Sequence, residues 1–209
     1  MSHFQFQTVS NIISGLGSIY ELKHLLQQQP YKKLLLVTDA GMIQQQLHLA
    51  IIEILETIQL DYVIYSSVQA DPPEHIVLDA VQFAKNEKAD IVLGFGGGSS
   101  LDVAKIIAIL AHPQQQQTLS DLYGINNPKP PRLPLFLVPT TAGTGSEVTP
   151  ISIVTTGETT KTGIVSPVLF ADVAILDATF TQNLPAHITA ATGIDAMVHA
   201  IEAYTSKIK

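Results

Sequence analysis

Asp90-Ile91-Val92-Leu93-Gly94-Phe95-Gly96-Gly97-Gly98-Ser99-Ser100-Leu101-Asp102-Val103-Ala104-Lys105 joins an apolar run, a glycine turn and the start of an almost wholly apolar helical pattern that continues to residue 111. Residues 90–95 read as a buried strand and 101–111 as a helix. Upstream, Lys33-Leu34-Leu35-Leu36-Val37-Thr38 is a similar strand run, closed by Asp39-Ala40-Gly41. Residues 42–58 repeat apolar side chains at helical spacing through Leu47, Ile51, Ile54, Leu55 and Ile58. Tyr62-Val63-Ile64-Tyr65 is another strand, and Asp71-Pro72-Pro73-Glu74 opens a helix with Ile76, Ala80, Val81 and Ala84 on one face. Strand and helix in alternation predict an α/β fold, a parallel sheet with helices on both faces.

Downstream, the proline-rich loop Asn127-Pro128-Lys129-Pro130-Pro131 leads to the strand Leu135-Phe136-Leu137-Val138. Residues 151–155 and 161–165 flank Gly157-Glu158, the pattern of a β-hairpin. Val173-Ala174-Ile175-Leu176-Asp177 is one more short strand. From Pro185 a helical pattern places Ile188, Ala191, Ile194, Val198 and Ile201 on one face and is still running near Lys209. The glutamine tracts at 27–29, 44–46 and 114–117 read as solvated helix faces and a loop.

Composition bounds the function. The 209 residues are 46% hydrophobic and 14% charged, enough apolar content for a packed core and too little charge for a disordered chain or a coiled coil. Eleven Lys and Arg against 18 Asp and Glu give a net charge of −7, with no basic footprint for nucleic acid or an anionic membrane. The absence of Cys excludes a disulfide scaffold, a thiolate metal site and a cysteine nucleophile. No apolar run reaches the roughly 18 residues of a membrane span, and residues 1–6 lack a basic stretch followed by an apolar one. The expectation is a soluble, cytoplasmic protein.

Four places can carry chemistry. The turn Gly96-Gly97-Gly98-Ser99, between a strand and a helix, brings backbone N–H groups and a helix N-terminus to an anion such as phosphate. Its bland alternative is a tight turn with Ser99 or Ser100 capping the helix. It matches neither a Walker A loop nor the usual dinucleotide fingerprint, since the glycines follow the third strand. Asp39, at the carboxyl end of a parallel strand, can accept from an adenosine ribose and repel a 2′-phosphate, or can simply cap a helix. The loop Pro139-Thr140-Thr141-Ala142-Gly143-Thr144-Gly145-Ser146-Glu147-Val148-Thr149 offers short hydroxyl donors on a backbone that a ligand can approach. Asp195 and His199, one helical turn apart, can ligate one divalent ion, Fe(II), Zn(II) or Mn(II), or can form a surface hydrogen bond.

Together the opening Asn11-Ile12-Ile13-Ser14-Gly15-Leu16-Gly17, the glycine run, residues 139–149 and the helix segment 193–202 resemble the iron-containing (group III) alcohol dehydrogenases over essentially the whole chain. The resemblance implies a Rossmann-like NAD-binding domain over residues 1–184, and over residues 185–209 the first helix of an all-helical metal-binding domain truncated at the chain end. It implies that Asp39 contacts the adenosine ribose and favours NAD over NADP, with Asp71 near the adenosine at a position where the family often has Asn. Gly97, Gly98 and Ser99 would hold the pyrophosphate, with Asp102 just beyond. Thr140, Thr141 and Thr144 would line the nicotinamide half and Lys161 would reach its ribose. Asp195 and His199 correspond to two metal ligands, for Fe(II) or alternatively Zn(II); two later histidine ligands have no counterpart here. The implied activity is hydride transfer between a small alcohol or aldehyde and NAD by a homo-oligomer, with the metal as Lewis acid. Two ligands where a catalytic site needs three predict little activity from these 209 residues. The alternatives are a non-catalytic nucleotide-binding remnant and a polyol oxidoreductase like the glycerol dehydrogenases.

Overall fold

A computed structural model describes residues 6–206. The opening residues 1–5 and the expected run of the last helix through 207–209 lie outside them. In chain order the elements are β1 (Asn11–Ser14), α1 (Leu22–Gln27), β2 (Lys33–Asp39), α2 (Ala40–Gln44), α3 (Leu49–Thr57), β3 (Asp61–Val68), α4 (Glu74–Glu87), β4 (Ile91–Gly96) and α5 (Gly98–Leu110). Then follow α6 (Leu119–Leu122), β5 (Gly124–Ile125), β6 (Leu135–Pro139), β7 (Ile151–Thr156), β8 (Thr160–Val165), β9 (Val173–Leu176) and α7 (Ala186–Thr205). Six strands form one parallel sheet in the order β1-β9-β6-β4-β2-β3.

Strand alternation builds two cores. Leu35, Val37, Val92, Leu135 and Leu137 point to one face, where Val77, Ala80 and Ala84 of α4 and Leu101, Ala104 and Ile107 of α5 cover them. Leu34, Leu36, Leu93, Phe95, Phe136 and Val138 point to the other, against Leu22 and Leu26 of α1 and Ile51, Ile54 and Leu55 of α3. The antiparallel pair β7 and β8 brings Val154 and Ile164 into the first core, so α5 is covered on its outer side as well. This is why α5 is apolar nearly all round.

The expected helix over 42–58 is two helices. Gln46 adopts φ 58, and the bonds Leu47 N–H to Met42 O and Gln46 N–H to Ile43 O close α2 in a Schellman motif. The apolar period continues across that stop because Leu47 packs back on the second core. The 114–117 glutamines are also more than solvated surface: Gln115 Nε2 donates to the carbonyls of Lys129 and Pro131, and Gln117 Nε2 to that of Asn127, which pins the proline-rich loop. α5 begins at Gly98, before the first apolar residue of its pattern. α7 ends at Thr205, with Ser206 at φ −60, ψ 137. Ala191, Ile194, Val198 and Ile201 form an exposed stripe, whereas Ile188, the first of the expected face, is half-buried together with Thr192 and Asp195. β1 was not apparent as a strand, since it pairs only at the sheet edge, with β9 across the length of the chain. No described helix is long and apolar enough to cross a membrane.

Candidate functional site

The chain runs outward from β2 to β3 and then returns to β4 on the other side of β2. Ligands of open parallel sheets bind at the carboxyl ends of the strands where the order reverses in this way. Here that crevice lies between Asp39, at the end of β2, and Gly97, after β4.

Two hollows open there and meet at Gly98 and Ser99. One, of about 490 Å³, is lined by Asp39, Gly97, Gly98, Ser99, Thr140 and Thr141, with Leu184, Pro185 and Ile188 closing one side. The other, of about 770 Å³, is lined by Asp71, Gly98, Ser99, Asp102, Thr144 and Lys161, and by Asp195 and His199 from α7. The structure therefore brings every residue singled out in the sequence to one continuous groove across the N-terminus of α5. No side chain caps that helix, so its first N–H groups are directed at the groove. The alternative, a cap by Ser99 or Ser100, is not formed.

Asp39 caps a helix and also lines the groove. Its Oδ1 accepts from Gly41 N at 2.8 Å and Met42 N at 3.2 Å, capping α2, while Oδ2 lies 3.5 Å from Ser100 Oγ at the groove floor. Gly98 is a place where backbone must come close: an added Cβ would sit 2.9 Å from Thr144 Cγ2 and 3.2 Å from its Oγ1. Thr140 is 1% exposed and its Oγ1 has no protein partner among the described residues. A buried hydroxyl without a partner costs about 1–3 kcal/mol, which a bound ligand can recover. Asp71, at φ 50, pairs with Lys161 Nζ at 2.6 Å on the exposed rim.

Asp102 lines the groove. Its Oδ1 accepts from Ser146 Oγ at 2.6 Å and from Lys105 Nζ at 3.3 Å, and Oδ2 accepts from Ile153 N at 3.0 Å. Its carboxylate is committed to the protein. Lys105 is fully buried, and it also donates to Ser146 Oγ at 2.8 Å and to the carbonyl of Ile151. Burial pushes its pKa down, against the opposing pull of Asp102 and Glu147; burial pushes the Glu147 carboxyl up. Sequence reading passed over Lys105, although a lysine in an otherwise apolar helix was a visible signal.

His199 Nε2 and Asp195 Oδ2 are 3.6 Å apart. Two donors each about 2.1 Å from one ion at a tetrahedral angle lie roughly 3.4 Å apart, so the pair suits a shared ion. Among the described residues no set of three or more His, Asp or Glu side chains is gathered for a metal. Two donors alone fall short of the three or more that a catalytic metal site needs.

The family pattern described as iron-containing alcohol dehydrogenase matches residues 10–178. The long-chain-alcohol dehydrogenase 1 of Geobacillus thermodenitrificans is 40% identical over 193 residues, which cover 92% of this chain and 49% of that protein. The crystal structure of a 1,3-propanediol oxidoreductase superposes with a TM-score of 0.92 at 34% identity, covering 99% of this chain and 54% of the other. The sulfoacetaldehyde reductase of Bifidobacterium kashiwanohense, solved in complex with NAD+, superposes with a TM-score of 0.89 at 28% identity, over 99% of this chain and 55% of the other. The chain thus spans about half the length of these relatives. With the glycine turn, the threonine loop and the Asp195 and His199 pair in one groove, and with this extent of match, the chain belongs to the iron-containing alcohol dehydrogenase family.

Proposed function

We propose that the groove binds NAD+ in an extended form, adenosine beside Asp39, diphosphate over Gly97, Gly98 and Ser99, and nicotinamide between Thr144, Lys161 and α7. The observation that carries this reading is the meeting of two hollows at an uncapped helix N-terminus, one with a carboxylate at its far end and the other with two metal-donor side chains. The protein of which this chain forms part would transfer hydride between NAD and a small alcohol or aldehyde. Asp195 and His199 would hold the metal as two of its ligands, Fe(II) in preference to Zn(II). Such an ion, when bound, supplies a Lewis acid for the substrate oxygen. Residues 1–184 are then the nucleotide-binding domain and 185–209 the opening of a helical one, whose exposed Ile194, Met197, Val198 and Ile201 suit burial against further helices or a second subunit. A homo-oligomeric, cytoplasmic enzyme fits this reading.

Calorimetric titration of the chain with NAD+ tests it: saturable one-to-one binding is expected, and its absence at millimolar nucleotide would overturn the proposal. The ribose assignment has its own test. Asp39→Ser keeps an oxygen to cap α2 but removes the charge, so NADP+ should gain about tenfold or more in affinity relative to NAD+. An unchanged ratio would place the adenosine elsewhere. Thr140→Val removes the unpartnered hydroxyl without changing side-chain volume. We expect thermal stability to hold or rise while NAD+ affinity falls about fivefold; a parallel fall in both would make Thr140 structural only.

A further inference from the structure

Asp102 poses an electrostatic problem. It lies one turn into α5 from Gly98 and Ser99, and it lines the same groove. A carboxylate there opposes a second anion at the helix N-terminus. The groove nevertheless has the geometry of an anion cradle.

Resting on the nucleotide reading above, we propose that buried Lys105 is a positioning residue that neutralises Asp102 and so makes the N-terminus of α5 receptive to the diphosphate of a dinucleotide. The geometry around Nζ suits an ammonium. Nζ is surrounded by three acceptors, Asp102 Oδ1, Ser146 Oγ and the Ile151 carbonyl, which match the three N–H donors of an ammonium. Ser146 in turn gives its own hydroxyl proton to Asp102, and Ile153 N–H satisfies the second carboxylate oxygen. Each of these hydrogen bonds offsets part of the negative charge of Asp102 at the groove wall.

The same ammonium ties three walls together. Asp102 belongs to α5, Ser146 to the threonine-rich loop and Ile151 to the start of β7, and all three line the nicotinamide-side hollow. Ser146 N–H also donates to Thr144 Oγ1 at 3.2 Å, and Thr144 is the side chain that faces Gly98. Lys105 thus acts at one remove: it touches no ligand itself, being fully buried, and works through the residues that do.

The test separates charge from scaffolding. Lys105→Gln removes the charge and retains an amide that can donate within the network. The probes are NAD+, ADP and adenosine, the last lacking phosphate, each titrated by calorimetry into the 209-residue chain. For K105Q we expect about a tenfold loss of NAD+ and ADP affinity with adenosine affinity within about twofold of wild type. In D102N/K105Q, where neither charge remains, NAD+ affinity returns to within about threefold of wild type. Equal losses for all three probes, or a double variant no better than K105Q, would reduce Lys105 to a structural strut and overturn the inference. If K105Q unfolds below the assay temperature, D102N/K105M decides instead: a neutral pair of similar volume folds where the uncompensated variant does not, and it must bind NAD+ nearly as wild type does. Loss of binding by that folded double variant overturns the inference. Wild-type chain that binds adenosine and ADP alike, with no gain from the diphosphate, overturns the groove assignment itself, a result independent of any Lys105 variant.

Discussion

Gly98→Val is expected to abolish measurable NAD+ binding, a loss of at least about a hundredfold, while leaving the chain folded. Already the first carbon of the new side chain would sit 2.9 Å from Thr144 Cγ2 and 3.3 Å from its Cβ, so Thr144 and its loop must move to admit it. The branches then occupy the space where an anion would meet the first N–H groups of α5, and the gap shared by the two hollows closes. The folding cost is modest by comparison. Gly98 is the first residue of its helix, is only half-buried, and sits on the groove side of the core. Gly97→Ala is the control: its added Cβ would meet Thr141 at 3.7 Å, ordinary contact, and should cost far less. Calorimetry with NAD+ beside far-UV circular dichroism checks the pair. Unchanged NAD+ affinity in folded G98V would remove the diphosphate from this turn.

The contrast between those two glycines shows what the sequence can and cannot carry. The run Gly96-Gly97-Gly98 announces a close approach of backbone to something, and the apolar periods on either side place it between a strand and a helix. Which glycine has room for a Cβ and which is pressed against Thr144 depends on a loop more than 40 positions downstream, and no local pattern encodes that. Strands β2, β4 and β6 were legible for the same local reason, being short apolar runs buried on both faces. β1 was not, because its place is set by pairing with β9 at the sheet edge. The break between α2 and α3 was hidden by Gln46, a left-handed residue that is neither Gly nor Asn. On α7 the apolar period marks the helix, and Ala191, Ile194, Val198 and Ile201 are exposed as a stripe without partners in this chain would be, while Asp195 and His199 line the groove.

Gly94→Val is the substitution with the largest expected effect on stability, and it links the core to the groove. Gly94 lies in β4, fully buried, registered beside Val37 of β2 and Leu137 of β6. An added Cβ would be 2.8 Å from both Ala104 Cβ of α5 and Leu137 Cδ2. Leu137 can rotate away; Ala104 cannot, because its Cβ is fixed to the helix backbone. Relief therefore requires α5 to lift from the sheet, against the burial of Leu101, Ile106 and Ile107 on that helix. Overpacking of this kind costs about 3 kcal/mol, and for a chain of this size each kcal/mol lowers Tm by roughly 2–4 °C, so a fall near 10 °C is expected. The milder Gly94→Ala should lose less, and Ala104→Gly in the same chain should restore part of it, since the pair then regains the clearance that wild type has. Thermal melts of the three variants check this, and an unaltered Tm for G94V would mean that α5 is not held at its height by this contact. Because α5 carries Gly98, Ser99 and the Asp102 and Lys105 pair, any lift of the helix also displaces the N–H groups at its tip. G94A should then lose NAD+ affinity even at temperatures where it is fully folded, and the A104G partner should recover affinity and Tm together, which a purely local effect on the sheet would not produce.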